Sequence, residues 1–298
     1  MLRPAALLVL LVPAAAGATH GRLQLSLYAG GGLASDLFVG AGLGRDGILE
    51  LQPEARLDLS LSPRWKLATR LSGGYASFTR SGFSAGSGAA ESQLRWLGEE
   101  REGGLALAAE QVAYSTGAPL DPTLPSSPTV TRSRALRLTP LVRWQGWGAQ
   151  WRLAAPLAYQ SSSAAGQDVA ERDGALLAGA ALQLGPWALA GSYRLQRAES
   201  DRPDFTATSH GLFATAGRPA GPVELEGQLQ GLWLHTGAGT REQLLRAGLS
   251  AAWPFARGLW LEAVYGFAGA WTDAPGEGFS SRHQVTLGLR GKVEAVSW

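Results

Sequence analysis

The stretch Ile48–Phe78, ILELQPEARLDLSLSPRWKLATRLSGGYASF, decides how the rest of the chain is read. From Leu49 the odd positions are Leu49, Leu51, Pro53, Ala55, Leu57, Leu59 and Leu61. The even ones are Glu50, Gln52, Glu54, Arg56, Asp58 and Ser60. Period-2 alternation marks a strand with one apolar and one polar face, and here it runs well past the ~5–6 residues usual in a soluble sheet. Ser62-Pro63-Arg64 turns the chain, because Pro63 presets φ at the first inner position of a turn. The return strand sets Trp65, Leu67, Leu71 and Tyr75 against Lys66, Arg70 and Ser72. At ~3.3 Å per residue and a tilt of ~40°, a ten-residue run climbs roughly 25 Å, the height of the apolar band on an outer-membrane barrel. The hairpin reads as the template of an all-β fold, a transmembrane antiparallel up-and-down β-barrel.

The N-terminus agrees. Met1-Leu2-Arg3-Pro4 leads into AALLVLLVPAAA and then Ala16-Gly17-Ala18, a basic start, a short apolar run and a small-x-small site. That is the pattern of a secretory signal peptide over residues 1–18, leaving 19–298 as a single barrel domain. The apolar run from Ala5 to Ala18 is too short to span a bilayer as a helix. No later stretch is long and apolar enough, so a spanning chain has to close as a barrel. Loss of Arg3 takes the 26 basic residues to 25, against 24 acidic ones. A near-neutral chain lacks the basic surface that nucleic acid requires. With no cysteine there is no disulfide framework, thiol nucleophile or lipid-attachment cysteine.

Short and long connections alternate along the chain. The short ones fall at Ser62–Arg64, Gly98–Gly103, Gln145-Gly146, Gly185-Pro186, Arg218–Pro222 and Pro254–Gly258. The long ones fall at Arg80–Ala90, Gly117–Thr129, Ser161–Asp173, Ala198–Phe205, Thr236–Glu242 and Thr272–Ser281. This is the asymmetry of bacterial outer-membrane barrels, short turns on the periplasmic side and longer loops outside. A first strand near Leu23–Leu33, with Ala34–Gly47 as its loop, brings the total to about fourteen, and an even number returns both ends to the periplasm. Twelve and sixteen are the alternatives.

Aromatic residues sort by the same geometry. Trp65, Trp96, Trp144, Trp147, Trp187 and Trp253 lie beside short turns, whereas Tyr75, Tyr159, Tyr193, Trp233 and Tyr265 lie toward the loop ends. They are the candidates for two membrane-interface girdles, where amphipathic rings prefer to sit. By parity, Tyr28 and Tyr114 point inward instead.

Tyr28-Ala-Gly-Gly-Gly-Leu-Ala-Ser-Asp-Leu-Phe, followed by Leu51-Gln-Pro and Leu61-Ser-Pro-Arg, resembles the first strands of porin-like Gram-negative outer-membrane barrels. Among them is the barrel domain of the surface lipoprotein assembly modifier family, which is also fourteen-stranded. The likeness covers a short part of the chain. It implies the class and an outer-membrane location, and it transfers no functional residue. The chain ends in Trp298, with Val296 two before it, which resembles the terminal aromatic signal read by the barrel-assembly machinery. That machinery and outer-membrane lipid are the expected partners.

Chemistry has few candidates. His210, His235 and His283 fall near the outer strand ends with Asp201, Asp204, Asp273 and Ser280 nearby, but no catalytic spacing joins them. The chain has no His-x₃-His pair, so no metal site or cofactor is expected. Pro119, Pro122, Pro125 and Pro128 recur at the period of a polyproline II segment, which suits an outer loop kept from pairing. The stretches at 84–88 and 161–167 read as loop tips. What remains is the inward face. Its pore-lining candidates are Glu54, Arg70, Arg95, Arg137, Arg143, Arg152, Glu224, Glu226, Glu262 and Lys292. Glu50, Asp58, Lys66, Glu110, Arg194, Arg246 and Arg290 share that parity, and Glu262 with Lys292 is a possible ladder pair. Fourteen strands enclose more width than side chains fill, so this lining suits a channel for small hydrophilic solutes or an exported chain. A non-conducting anchor or part of a surface export machine is the alternative, and catalysis is not expected.

Overall fold

Alternation like that of Ile48–Phe78 recurs along the chain, and each run is a strand in the computed structural model. It describes residues 20–36, 45–79, 83–115, 130–164, 167–202, 206–273 and 279–297. The strands are β1 (His20–Asp36), β2 (Arg45–Ser60), β3 (Trp65–Phe78), β4 (Ser84–Leu97), β5 (Arg101–Ser115), β6 (Val130–Gly146), β7 (Ala149–Ala154) and β8 (Leu157–Ala164). They continue as β9 (Gln167–Leu184), β10 (Trp187–Ser200), β11 (Ala207–Ala220), β12 (Val223–Thr236), β13 (Arg241–Ala256), β14 (Leu259–Thr272) and β15 (Phe279–Ser297). Apart from β7 and β8, which both pair with β6 and β9, each pairs antiparallel with its neighbours in the chain, and β15 returns to pair with β1 from Arg22↔Ser297 to Asp36↔Arg282. The sheet is therefore closed, and no edge is left to template aggregation.

Strands β7 and β8 are two halves of one stave, so the fifteen strands make fourteen staves. The break falls at Ala155-Pro156, because Pro156 has no N–H to give to a ladder that is paired on both sides. The register does not slip across it. Ala155 N donates to the Pro140 carbonyl at 3.1 Å, and Ala175 N to the Pro156 carbonyl at 2.9 Å. Pairing between β2 and β3 lapses likewise at Gln52-Pro53, opposite Gly73-Gly74.

Several connections differ from the sequence reading. The turn expected at Gln145-Gly146 sits two residues later, at Trp147-Gly148, where φ is 53° and 73°. Two successive positive φ values are what the twist of a two-residue hairpin demands. Gly185, Gly221 and Gly258 supply the same conformation at later short turns. The loops expected at Arg80–Ala90 and Ser161–Asp173 are largely strand. Ser84–Gly88 belongs to β4 and Ser161–Ser163 to β8, with full register to their neighbours. Small residues there looked like loop tips, yet backbone pairing in a closed sheet does not depend on side-chain size. The expected signal peptide, the proline-rich run at 119–128 and Trp298 lie outside the described residues.

The two faces are unlike. Outward positions keep large apolar side chains in the open, with Leu229 50%, Leu249 62% and Leu287 55% exposed. A soluble sandwich would bury this face, so the barrel requires hydrocarbon around it. Inward, Tyr28 is 6% exposed and lies over Gly30 and Gly288 at the β1–β15 seam, where a Cβ on Gly288 would come within 2.6 Å of the Tyr28 Cζ. Its hydroxyl reaches Thr286 Oγ1 at 3.5 Å. Ala34, Ile48 and Phe78 form a small apolar cluster inside the wall near the loop end, with Phe83 against it.

Candidate functional site

The register sends every pore-lining candidate to the inner face. Glu54 stands opposite Ser26 and Ser72, Arg95 opposite Lys66, and Arg137 opposite Ala108 and Ala158. Arg143 and Arg152 face one another directly across the β6–β7 ladder. Glu224 and Glu226 lie on β12 opposite Pro219 and Gly217, Glu262 opposite Ala252, and Lys292 opposite Ser26.

Among the described residues the inward ion pairs gather on one side of the barrel. Arg70 Nη2 meets Glu54 Oε2 at 2.6 Å, and Arg290 Nη2 meets Glu262 Oε2 at 2.9 Å. The ladder pair considered for Glu262 and Lys292 is thus replaced by Glu262 with Arg290. Arg290 lies on the strand register that reaches Glu262 diagonally, and it covers the acid to 10% side-chain exposure. Arg56 with Asp58 and Arg22 with Glu294 complete the pairs on this side. Between β4 and β10, by contrast, Arg95, Arg137, Arg143, Arg152 and Arg194 make no ion pair among the described residues. The Nε atoms of Arg95, Arg137 and Arg194 are buried without a hydrogen-bond partner. Arg143 feels both Arg152 and Arg95, with Glu102 as the opposing charge. Arg194 feels Arg137 and Asp173 in the same way. Like charges set directly opposite repel, and burial strengthens the penalty unless water or an anion stands among them.

Glu102 and Asp173 were missed by the sequence reading, which placed one in a turn and the other in a loop. Extending the parity of β5 and β9 past their expected ends finds both. On the paired side, a recess of about 580 Å³ opens into the lumen between Tyr28, Glu50, Glu54, Arg70, Tyr114 and Arg290.

The girdle candidates stand on the outer face. Trp65 and Trp96 are opposite one another, as are Trp144 and Trp151, whose rings stack at 6.4 Å. Trp147 sits in the turn itself, 94% exposed, and Trp187 and Trp253 flank the next short turns on the outside. Toward the loop ends, Tyr75, Tyr159, Tyr193, Trp233 and Tyr265 face outward between 38% and 53% exposed. His210 and His283 join this belt. Tyr193 Oη and His210 Nδ1 lie 2.6 Å apart, and Tyr265 Oη and His283 Nδ1 2.9 Å apart.

No protein-family model matches the chain, and no curated protein matches it in sequence. Solved structures do. The in-vitro folded outer membrane protein OmpT of Vibrio cholerae aligns over 92% of this chain and 98% of its own, with a TM-score of 0.59 at 8% identity. Its loop L8 deletion mutant gives 0.57 at 8%, over 92% and 99%. CdiB from Acinetobacter baumannii gives 0.51 at 9% identity, over 92% of this chain and 60% of that one. Identities this low speak for the fold alone. Closed topology, an exposed apolar outer face and these likenesses together give one statement: the chain has the fold of the Gram-negative outer-membrane β-barrels.

Proposed function

We propose that this barrel is an outer-membrane channel for small hydrophilic solutes, reached by way of a cleaved signal peptide, with a mild preference for anions. The observation that carries the reading is the inward row of five arginines from β4 to β10, which outnumbers Glu102 and Asp173 beside it and makes no ion pair among the described residues. Guanidinium groups with buried, unpartnered Nε atoms need water or passing anions, and a fourteen-stave lumen has the width to hold both. Passage of an exported chain is the variant of this reading that makes the same demand on the lining.

The experiment is single-channel recording of the purified barrel in a planar bilayer. Steady ion current is the expected result. A silent barrel that co-purifies with envelope proteins would overturn it in favour of an anchor or a component of an export machine. The inward apolar cluster of Ala34, Ile48 and Phe78 is what favours that second reading, since it narrows the loop end.

Orientation has its own test. Both described ends, His20 and Ser297, lie at the short-turn end of the wall. An epitope inserted at Ser126, between β5 and β6, or at Gly239, between β12 and β13, should be stained on intact cells. One at Gly148 or Gly185 should be stained after permeabilisation alone. Staining of Gly148 on intact cells would reverse the orientation.

A further inference from the structure

Alternation holds the outer wall apolar until the loop ends of β6, β9 and β10, and there it changes character. Arg132 and Arg134 continue the outward row of Leu136 and Leu138 on β6. On β9, Arg172 stands level with the outward Tyr159, and on β10 Arg197 follows the outward Tyr193 and Leu195. All four arginines are exposed. Among the described residues Arg132, Arg134 and Arg172 make no ion pair, and Arg197 meets Glu199 at 3.1 Å with both side chains more than half exposed. Asp168 also faces outward, and exposed Asp201 continues the parity of Arg197 and Glu199, so four guanidinium groups answer to three carboxylates, with Glu199 directly opposite Arg172.

Their spacing is close. Arg132 and Arg134 are successive residues of one face, and Arg172 and Arg197 are diagonal cross-strand neighbours, ~7–8 Å apart at the backbone. Strands β6 and β9 are separated there by β8 alone, about 10 Å from axis to axis, with Ser161 and Ser163 presented between them. An outward arginine is costly within hydrocarbon and cheap at the interface, so this group belongs at headgroup level. A guanidinium binds phosphate through two parallel N–H donors, which ammonium headgroups cannot accept.

Below the arginines the wall is hollowed. A groove of about 840 Å³ crosses the outer face, floored by Ala178 and Ala180 on β9, Gly191 on β10 and Ala214 on β11, and walled by Leu153 and Tyr193. Ala178 lies on the same face of β9 as Arg172, six positions further along it. That is about 20 Å along the strand, within reach of an acyl chain. Headgroup charge above and a hydrocarbon trough beneath are the two halves of one ligand.

We propose that this sector of the outer wall is a binding site for a phosphorylated, multiply acylated lipid of the outer leaflet. Its phosphates sit on Arg132, Arg134, Arg172 and Arg197, and its chains run down β9 into the groove. The site rests on the outer-membrane reading and on the loop end facing outward.

Native mass spectrometry of the full barrel in detergent micelles tests it, with bisphosphorylated lipid A and its fully dephosphorylated form as the probes. The wild-type barrel should retain the phosphorylated lipid. The variant R132S/R134S/R172S/R197S should hold it at least about tenfold more weakly, because it removes every basic side chain of the group. R218S is the control, because Arg218 is an outward arginine at the turn end, stacked at 5.1 Å on Trp187. It should bind as the wild type does. Equal retention by the fourfold variant, or equal retention of the dephosphorylated lipid, would overturn the proposal. Displacement of the lipid by millimolar inorganic phosphate alone would assign the arginines to a free anion. Loss of an oligomer in place of lipid would assign the face to a second copy of the chain. Lipid retention and ion current are separate readouts, so failure of the channel reading would leave this result standing.

Discussion

Arginine placed at Leu229 or Leu287 is expected to destabilise the barrel by about 2–4 kcal/mol, the cost of a guanidinium near the middle of the hydrocarbon. Both leucines sit on the outer face, 50% and 55% exposed. Their cross-strand neighbours are Ala214 and Ala247 for Leu229, and Gly31 and Ala263 for Leu287. None of these four offers a carboxylate or a hydroxyl, so the introduced charge has to reach for the interface. Leu153 belongs to the same class. Leu57 and Leu67 do too, but they are partly covered by their neighbours, so loss of packing adds to the charge penalty there. Arginine at Gln52, Ser72 or Gln228, on the inner face, should assemble nearly as the wild type does. Urea titration of folding into lipid vesicles, followed by the shift in electrophoretic mobility of unheated samples, measures the difference. Equal damage on the two faces would mean a packed interior and would defeat the barrel reading.

The contrast between faces was already legible in the sequence, and the reason is local. A strand assigns alternate residues to opposite faces whatever it pairs with, so Leu49 to Leu61 announced an apolar face before any partner was known. The stave count followed from turn chemistry for the same reason. Gly185 and Gly258 adopt positive φ at the positions where the chain was expected to reverse. What did not follow was anything set by a neighbour across the sheet. The break at Pro156 depends on that strand being paired on both sides, which parity does not reveal. Likewise Ser84–Gly88 has the composition of a loop, and it is strand because β3 and β5 flank it.

The charged lining divides along the same line. Its inward direction was a matter of parity, and each of the ten candidates points inward. The pairing of those charges was not. Glu262 had Lys292 as a plausible partner by ladder position, yet Arg290 reaches it, because Arg290 stands one diagonal step away and Lys292 lies two residues farther along β15. Glu262 on β14 is held in an ion pair, whereas Arg137, Arg143 and Arg152 make none among the described residues, although Glu102 stands opposite Arg143.

Replacement of Arg137, Arg143 and Arg152 by serine should therefore move the reversal potential in a salt gradient toward cations, with the barrel still assembled. In the ring of staves, β6 and β7 lie across from β14 and β15, and Glu224 and Glu226 on β12 flank that opposite wall. Rows of unlike charge across water set up a transverse field that orients polar solutes and hinders apolar ones. Three unit charges acting over ~7 Å of screened water should change the ratio of anion to cation permeability by about three- to tenfold. Glu102 stands opposite Arg143 and Glu110 diagonal to Arg137, but neither makes an ion pair with the three arginines among the described residues. Glutamine at Glu224 and Glu226 should shift the potential the other way, because it removes the carboxylates and leaves the arginine row intact. Unchanged selectivity in the triple variant, with conductance preserved, would mean that these three arginines stand away from the constriction. The unpaired Arg95 and Arg194 would then be the groups to replace next, since they flank the same row on β4 and β10.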